Sequence, residues 1–569
     1  MAVVIKIVVC ILLFCVAYFD VVQPAHQQIT GRYELGSMEA ATVGAPWPMP
    51  QKYDVMQTYM FIDKSNFEFP VIAKTCDLLE DAIARYYQII FATDHESRSK
   101  RSLLNRERSG ASVVMTKTKM VSSTKDSNNH GQLKNISIIL TYKCEEYPSM
   151  NMDEQYEIKI DNWDNPGEGL LTSDSIWGIL RGLETLSHII HEADDGAVRV
   201  NSTFIDDFPR FSHRGVLLDT SRHYLPKSIL LENLDVMAYN KFNVFHWHIV
   251  DWQSFPYQSR VFPDLSRKGA YNEYTHIYTQ DDIAEIVEYA RVRGIRVLPE
   301  FDTPGHTLSW GAGRPGLLTL CYADGRPDGT HGPVNPVPAS TYDFMRRLLA
   351  EVVSVFPDAY VHLGGDEVNF GCWKSNPEIN KFMQKMGFGS NYAKLEEYYI
   401  QKILKIMETL NHGSMVWQEV FDNNVTVGGD TIVHVWKGGY QRELAAVTAA
   451  GHDALLSSCW YLDGISTTAD WKTYYACDPQ RFNGTEQQKK LVKGGEACLW
   501  GEWVDATNLL ARLWPRASAV AERLWSNEDV NDVKTAASRI EEHRCRMVRR
   551  GVPAQPVNGP GFCKHEFAQ

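Results

Sequence analysis

The sequence lacks several features that would assign it to a familiar class of protein. After residue 22 no segment is apolar enough to span a bilayer, so no stable membrane span is expected. The formal charge is -13 and no extended basic stripe occurs, which argues against nucleic acid as the principal partner. There is no P-loop and no glycine-rich phosphate cradle opening a helix, so phosphoryl chemistry is disfavoured.

The first residues predict entry into the secretory pathway. One lysine, Lys6, lies in an apolar run, and residues 1–22 read as a cleaved signal peptide. An uncleaved anchor is the alternative, because the run is near the lower length for spanning a bilayer. Of 11 cysteines, Cys10 and Cys15 lie in the signal, and the odd remainder leaves one thiol over. Glycosylation sequons occur at Asn135, Asn201, Asn424 and Asn483. Lysosome and secretion to the outside both remain open.

Two folded domains are predicted after the signal. Residues 23–205 combine apolar alternation with amphipathic stretches, which indicates a smaller non-catalytic α+β domain. Residues near 97–132 are polar and basic and predict an exposed loop. Within it, residues 98–101 resemble a dibasic processing site, and a solvated loop that is never cut is the alternative. Residues 206–569 form the second domain.

The second domain alternates short apolar runs with helix-like stretches, which predicts an α/β fold with a parallel sheet. Eight such units fit a (β/α)8 TIM barrel. The predicted strands are Gly215–Leu218, Phe242–Val250, Ile295–Phe301, Tyr360–Leu363, Ser414–Trp417, Thr431–Trp436, Ala454–Ser457 and Ala497–Trp500.

Polar and aromatic residues follow each predicted strand, where a barrel keeps its active site. A pocket with carboxylates, one arginine, one histidine and several indoles suits a carbohydrate, because indole stacks on a sugar face and hydroxyls need polar partners. These residues are Asp219, Arg222, Asp251, Glu300, Asp302, His306, Asp366, Glu367, Trp417, Glu419, Trp436, Trp460, Tyr461, Asp463, Trp500 and Glu502.

Asp366 and Glu367 are adjacent, which is unusual for a glycosidase. Ordinary retaining enzymes place two carboxylates about 5 Å apart on opposite sides of the scissile bond, and adjacent residues do not easily do so. The exceptions use a nucleophile from the substrate, an acetamido group. One acid would protonate the leaving oxygen, the other would orient the acetamide, and Tyr461 would donate to its oxygen.

Five motifs in the same order resemble glycoside hydrolase family 20, and within it the lysosomal-type β-N-acetylhexosaminidases of animals. They begin at Asp219 (DTSRHYL), Phe301 (FDTPGH), His362 (HLGGDE), Val416 (VWQEVF) and Gly495 (GEACLWGE). The resemblance implies a zincin-like N-terminal domain, a catalytic barrel and a retaining exo-β-N-acetylhexosaminidase acting through an oxazolinium intermediate. It implies no cofactor, no metal, and a homodimer.

The resemblance also implies residue roles. Glu367 corresponds to the general acid-base, Asp366 to the residue that orients the acetamido group, and Asp302 with His306 to a relay that tunes Glu367. Arg222, supported by Asp251, holds the O3 and O4 hydroxyls. The implied walls and remaining hydroxyl contacts are Trp417, Trp436, Trp500, Asp463 and Glu502.

The cysteine pattern of the family implies three disulfides, Cys76–Cys144, Cys321–Cys372 and Cys545–Cys563. A further bridge between Cys459 and Cys477 would leave Cys498 as the free thiol, and spacing alone proves none of these pairs.

The chain departs from the family at one position and points to a subunit type at another. Trp252 stands where the lysosomal relatives carry a second aspartate. Asp463-Gly464 resembles the β-subunit type, which prefers neutral substrates, whereas the sulphate-accepting type has Asn and Arg there. Weak action on 6-sulphated sugars is therefore expected. Glycoprotein glycans, glycolipids and chitin fragments all remain open as natural substrates.

Two other classes of function compete with this interpretation. His246 and His248 share one face of a strand with the spacing of metal ligands in barrel hydrolases, so a metal-dependent hydrolase is one alternative. Two histidines satisfied by hydrogen bonds is the simpler interpretation. A non-catalytic carbohydrate-binding protein is the other alternative, although the acid pair, Tyr461 and His306 are more than binding requires.

Overall fold

The computed structural model describes residues 39–91, 128–162, 165–193, 195–466, 469–564 and 566. The predicted signal peptide and the basic residues 98–101 lie outside them, as does most of the predicted loop near 97–132. Residues at the end of that loop form part of a strand, Asn129–Leu133, whose last side chain is buried. Within the described residues, no helix combines the length and apolar character needed to cross a bilayer.

The N-terminal part contains a seven-stranded mixed sheet. Strand β6 pairs with β7, and the other six follow the order β2-β1-β7-β4-β5-β3. The strands are β1 (Lys52–Ile62), β2 (Asn129–Leu133), β3 (Asn135–Leu140), β4 (Tyr156–Asn162), β5 (Asn165–Ser173), β6 (His191–Glu192) and β7 (Val198–Asp207). The alternating burial of β3 shows one face of this sheet turned to an apolar core.

Two helices pack on this sheet, α1 (Asp77–Phe91) and α2 (Ile176–Ile189). Every residue of α2 is buried, including its polar ones. Arg181 of α2 explains why, since its guanidinium donates to Glu154 and to the backbone oxygens of Arg293 and Gly294 in the barrel. Helix α2 therefore lies between the sheet and the barrel and contacts both.

Eight parallel strands close into a barrel, which confirms the predicted (β/α)8 catalytic fold. Around the barrel they are β8 (His213–Asp219), β9 (Val244–His248), β10 (Arg296–Glu300), β13 (Tyr360–His362), β14 (Gly413–Trp417), β15 (Thr431–Val435), β16 (Ala454–Leu456) and β17 (Val492–Leu499). Each predicted strand has a counterpart. The last begins at Val492 rather than Ala497, because Gly494 to Glu496 are buried in the strand although the segment is not apolar.

Helices and one hairpin surround the barrel. The hairpin pairs β11 (Leu318–Ala323) with β12 (Arg326–Val334) in antiparallel fashion. The helices are α3 (Lys227–Tyr239), α4 (Asp264–Gly269), α5 (Gln280–Arg291), α6 (Leu308–Gly313), α7 (Ala339–Val355), α8 (Gly371–Ser375), α9 (Pro377–Lys385), α10 (Tyr392–Thr409), α11 (Glu419–Asp422), α12 (Tyr440–Ala449), α13 (Trp471–Tyr475), α14 (Glu486–Leu491), α15 (Leu509–Leu513), α16 (Arg516–Trp525) and α17 (Val533–Arg549).

The barrel interior is layered, as inward-facing side chains of such barrels are. One layer is apolar and comprises Val244, Leu298, Met415, Ile432 and Leu455. The next is polar and contains the imidazoles of His213, His246, His362 and His434 with the carboxylate of Glu496. Gly215 makes room for this carboxylate, since a Cβ there would lie 2.5 Å from Glu496 Cγ. The third layer is aromatic and borders the candidate site.

Four disulfides occur in the described residues, and they match the pairs proposed from the sequence. They join Cys76 to Cys144, Cys321 to Cys372, Cys459 to Cys477 and Cys545 to Cys563. Cys498 is a buried free thiol on β17. Disulfides of this number fit an oxidising compartment.

Candidate active site

Arg222 is held rigidly at the carboxyl end of β8. Its guanidinium pairs with Asp219 and Asp251, each at 2.9 Å, and lies over the Trp500 ring at 5.2 Å. Burial disfavours its charge, but the carboxylates of Asp219 and Asp251 outweigh that effect and raise the pKa of Arg222. The Nε atom is buried and has no hydrogen-bond partner among the described residues. A fixed cation with a free donor suits a sugar hydroxyl.

A chain of hydrogen bonds connects this arginine to the barrel interior. Asp251 Oδ2 accepts from His248 Nε2 at 2.8 Å, and His248 Nδ1 donates to Glu300 Oε2 at 2.6 Å. Burial opposes a charge on His248, but Glu300 and Asp251 raise its pKa well above the usual value. His248 is therefore an imidazolium that donates from both nitrogens. Glu300 thus acts on Arg222 through two intervening side chains.

His306 lies at the centre of four carboxylates. Its Nδ1 is 3.2 Å from Asp251, and its Nε2 is 3.9 Å from Asp302, 3.7 Å from Asp366 and 3.6 Å from Glu367. Burial opposes its charge, but Asp302 first, and then Asp251 and Glu367, raise the pKa of His306 to about 12. The structure therefore brings together the predicted Asp302–His306 pair and the predicted acid pair. It adds Asp251, which had been expected only beside the arginine.

The two adjacent acids have different surroundings. The Asp366 side chain is 12% exposed and that of Glu367 60% exposed. Burial, and then the charge of Asp302, raise the pKa of Asp366 well above its usual value. The interaction with His306, whose Nε2 lies 3.6 Å from the carboxylate, lowers the pKa of Glu367. Asp366 Oδ1 is buried and accepts no hydrogen bond from the described residues, so it is ready for a donor on a bound molecule.

The backbone around the acid pair is under local constraint. Glu367 and His306 have positive φ values of 48° and 51°, which residues other than glycine seldom adopt. Gly364 comes so close to Asp302 that a Cβ would lie 1.7 Å from its Oδ1, and Gly365 N donates to the same oxygen at 2.8 Å. The two glycines of the motif therefore let Asp302 approach the acid-bearing turn.

Aromatic rings form the walls of the pocket. The ring centroids of Trp436 and Tyr461 are 6.0 Å apart and stacked, and those of Trp417 and Trp500 are 6.1 Å apart. Burial is the main cause of a raised pKa for Tyr461, so its hydroxyl stays protonated and can donate. The structure thus brings the three predicted indoles and the predicted tyrosine into one cluster with Leu217 and Cys498.

The remaining predicted ligands lie at the rim. Glu502 is half exposed, and its carboxylate is 3.9 Å from the Arg222 guanidinium. Asp463 Oδ1 is buried without a hydrogen-bond partner among the described residues. Both carboxylates are thus available to sugar hydroxyls.

Two acidic residues position the walls and had been given no role from the sequence. Trp417 Nε1 donates to Glu300 at 2.8 Å, and Trp436 Nε1 donates to Glu419 at 2.8 Å. Glu300 lies near the carboxyl end of one predicted strand and Glu419 just after another, and that position was the only sequence signal for a role of either acid. Their indole partners are distant in sequence or on another strand, so the pairing itself had to come from the structure.

The histidines that suggested a metal site are bound to carboxylates. His246 Nδ1 lies 2.7 Å from Glu496 and its Nε2 lies 3.1 Å from Glu300. The group of His246, Glu300 and His362 is compact enough to hold an ion. Burial lowers the pKa of His246, but the carboxylates of Glu496 and Glu300 outweigh that effect and raise it to about 9. Imidazolium–carboxylate ion pairs therefore explain the arrangement.

The predicted glycosylation sites differ in exposure. Asn424 and Asn483 are exposed, whereas Asn135 and Asn201 are partly buried in strands. The side-chain amide of Asn201 donates to the Met56 backbone oxygen at 2.8 Å. The structure therefore favours Asn424 and Asn483 as the more accessible acceptors.

Comparisons with known proteins agree with this geometry. The family described as glycosyl hydrolase family 20, catalytic domain, matches residues 211–528. A family described as beta-acetyl hexosaminidase like matches residues 46–189. The Bos taurus beta-hexosaminidase subunit alpha is 49% identical over 544 residues, which cover 94% of this chain and 98% of that protein. The Homo sapiens beta-hexosaminidase subunit beta is 48% identical, covering 93% of this chain and 91% of its own length.

Solved structures of related enzymes have a similar fold. The Flavobacterium johnsoniae chitobiase aligns with a TM-score of 0.73 at 28% identity, covering 89% of this chain and 73% of that one. Streptomyces plicatus N-acetyl-beta-hexosaminidase, at 21% identity and a TM-score of 0.69, shares the fold over 92% of this chain and all of its own. The barrel and its pocket are those of a glycoside hydrolase. The chain belongs to glycosyl hydrolase family 20.

Proposed function

We propose that the protein is a retaining exo-β-N-acetylhexosaminidase that uses the substrate's own acetamido group as nucleophile. It removes terminal non-reducing N-acetylglucosamine or N-acetylgalactosamine from glycoconjugates or chitooligosaccharides. The observation that carries this proposal is the contrast within the acid pair. A buried Asp366 oxygen lacks a donor among the described residues, and the adjacent Glu367 is exposed beside it. An acetamide N–H supplies the donor that Asp366 lacks.

The sugar is held from two sides. Arg222, held in place by Asp251, offers a charged donor for neighbouring hydroxyls, and Asp463 and Glu502 offer acceptors for the others. Trp417, buried on the wall, encloses the acetamido group with the rings of the aromatic cluster. This arrangement fixes the sugar before reaction, which lowers the entropy cost of reaching the transition state.

Bond making and breaking then follow from the contacts. Asp366 accepts the acetamide N–H, and the acetamide oxygen attacks the anomeric carbon while the glycosidic bond breaks. Glu367 gives its proton to the leaving oxygen, and Tyr461 donates a hydrogen bond to the acetamide oxygen. Water then attacks the anomeric carbon of the oxazolinium ion and loses a proton to Glu367, while the bond from that carbon to the acetamide oxygen breaks and the acetamide re-forms, so the product keeps its configuration. Each displacement inverts the anomeric carbon, so two of them in succession retain its configuration.

Binding has to reverse the protonation of the sugar-free pocket, in which Asp366 holds a proton more readily than Glu367. The acetamide N–H stabilises the carboxylate form of Asp366 and so lowers its pKa. The leaving group covers the exposed Glu367 from water and so raises its pKa. Together the two changes leave Asp366 as a carboxylate and Glu367 as a protonated acid, which is the state that the reaction requires.

The experiment compares Glu367→Gln with Asp366→Asn on two N-acetylglucosaminides and tests the unmodified protein on a glucoside. Both variants should fold normally and lose most turnover of an alkyl N-acetylglucosaminide. With an aryl substrate whose phenol leaves unprotonated, Glu367→Gln should recover part of the rate of the first step, whereas Asp366→Asn should not. A glucoside without the 2-acetamido group should be cleaved poorly by the unmodified protein. Near-normal turnover by either variant, or efficient cleavage of the glucoside, would contradict the mechanism.

The finer substrate preference rests on Asp463 and Gly464. Gly464 is exposed and offers no cation, and the partly buried Asp463 would repel a sulphate. We therefore propose a preference for neutral over 6-sulphated sugars, as in the β-subunit type. A 6-sulphated chromogenic substrate hydrolysed as fast as the neutral one would overturn this preference.

The cellular setting is part of the same proposal. Four disulfides and accessible sequons support passage through the secretory pathway, with the lysosome or the extracellular space as the destination. The family resemblance supports a homodimer acting on glycoprotein, glycolipid or chitin-derived glycans. Light scattering of the purified protein should give twice the chain mass, and the mass of a single chain would argue against the dimer.

A further inference from the structure

Trp252 is an exposed indole beside the general acid. It is 54% exposed, and its ring centroid is 5.9 Å from that of His306. His306 in turn lies 3.6 Å from the Glu367 carboxylate. A large apolar ring left in solvent at the mouth of an active site commonly marks a binding surface. In the described part of the chain it takes no part in the aromatic cluster that encloses the acetamido group.

The position of Trp252 relative to the pocket identifies the side of the substrate it faces. The side chains that hold the reacting sugar are largely buried, Arg222 and Asp366 being 11% and 12% exposed. Glu367 is 60% exposed, so the pocket opens at the acid. Because Glu367 protonates the leaving oxygen, whatever is attached to that oxygen extends through this opening. Trp252 therefore lies on the leaving-group side.

The backbone fixes the indole in this place. The Trp252 N–H donates to Asp251 Oδ1, and Asp251 is held by Arg222, His248 and His306. The residue next to a buried and fully bonded aspartate has little freedom to move away. A preorganised aromatic ring loses little entropy on binding, which favours its use as a platform.

We propose that Trp252 forms a subsite for the pyranose ring on the leaving-group side, which stacks its C–H face on the indole. This inference rests on the proposed function and adds a preference for sugar over small alkyl leaving groups. The aspartate that stands here in the resembling family offers no such face, so the subsite is a property of this chain.

The test compares two substrates that differ only beyond the leaving oxygen. Methyl β-N-acetylglucosaminide has no ring there, and N,N′-diacetylchitobiose has an N-acetylglucosamine. Trp252→Ala should lower kcat/KM for the disaccharide about tenfold, mainly through KM, and leave that for the methyl glycoside unchanged. Trp252→Tyr, which keeps an aromatic face, should retain most of the disaccharide activity.

Two readouts separate this subsite from other roles of the indole. If the indole only supported His306, both substrates would lose activity equally and the pH profile for the methyl glycoside would shift, and either result would overturn the proposal. The proposal would also be overturned if the ratio of kcat/KM for the disaccharide to kcat/KM for the methyl glycoside were the same in all variants. Tyr142→Ala removes a comparably exposed ring from the N-terminal part and should change neither substrate. Failure of the unmodified protein to cleave either substrate would instead refute the proposed function itself.

Discussion

Glu300 accepts the indole N–H of Trp417 at 2.8 Å with one carboxylate oxygen and the imidazole N–H of His248 at 2.6 Å with the other. It is fully buried and lies beneath the pocket. The first hydrogen bond fixes the aromatic wall formed by Trp417. The second leads through His248 and Asp251 to Arg222. Glu300 therefore couples the two surfaces that hold the sugar without touching it.

Replacing Glu300 should impair catalysis more than replacing a similar buried acid. Glu300→Gln removes the charge that keeps His248 protonated, so Asp251 and Arg222 lose their alignment and kcat/KM should fall about a hundredfold. Glu496 is the control, because it is equally buried but bonds His213 and His246 and neither Trp417 nor His248. Glu496→Gln should mainly cost stability, about 3–5 kcal/mol in a denaturant titration. Equal activity losses in the two variants would refute a positioning role for Glu300.

His306→Gln should move the alkaline limb of the activity profile to higher pH. Glu367 must be protonated to act as acid, so its pKa sets that limb, and the interaction with the nearby His306 lowers this pKa. Removing the cation therefore raises the pKa of Glu367 and extends activity upward in pH, even though the maximal rate falls. A pH series of kcat measures the shift. An alkaline limb that stays in place or moves down would contradict the assignment of Glu367 as acid.

Gly364→Ala should lower both stability and activity. The new Cβ would lie 1.7 Å from Asp302 Oδ1 at a positive φ of 68°, so the turn that carries Asp366 must shift. We expect a loss of about 1–3 kcal/mol in the free energy of unfolding and most of the turnover. Gly451→Ala is the control, because it has a similar φ of 89° but meets no atom within 4 Å. It should keep full activity.

Tyr461→Phe should reduce kcat about a hundredfold while preserving the fold. The ring would still stack on Trp436, but the hydroxyl donor to the acetamide oxygen would be lost. Because the hydroxyl holds the acetamide oxygen in position for its attack on the anomeric carbon, kcat should fall more than KM rises. Steady-state kinetics on an N-acetylglucosaminide provides the measurement, and a rate near that of the unmodified protein would remove Tyr461 from the mechanism.

Activity should survive dialysis against EDTA. The imidazoles of His246 and His248 are occupied by Glu300, Glu496 and Asp251, and the proposed steps use only protein side chains and the substrate. Loss of activity on chelation, restored by a divalent metal, would favour the metal-dependent hydrolase instead.

The sequence predicted the barrel because each strand is a short apolar run followed by polar residues, a pattern that depends only on neighbours in the chain. It placed the start of β17 too late, because Glu496 is inside the barrel and is stabilised by His213 and His246. Those partners are 283 and 250 residues away in the chain. Local apolar character could not reveal a polar interior of this kind.

In the candidate site, too, the sequence identified residues in local motifs but not the contacts between distant segments. The motifs singled out Asp302, His306 and the acid pair, and the structure brings them within 4 Å of one imidazole. The contact of His306 with Asp251, and the role of Glu300, depend on side-chain directions that no spacing encodes. The catalytic roles of these residues stay predictions until the variants are measured.

The burial of helix α2 bears on how the protein can be produced and divided. Its Arg181 and Glu184 are tied to the barrel through Arg293, Gly294 and Arg550. Expressing the barrel alone would uncover Trp525, which packs in the apolar core of the N-terminal sheet, and leave Arg550 without its carboxylate partner. Truncated forms that begin near residue 206 should therefore aggregate, and only the chain that keeps both parts should yield soluble enzyme.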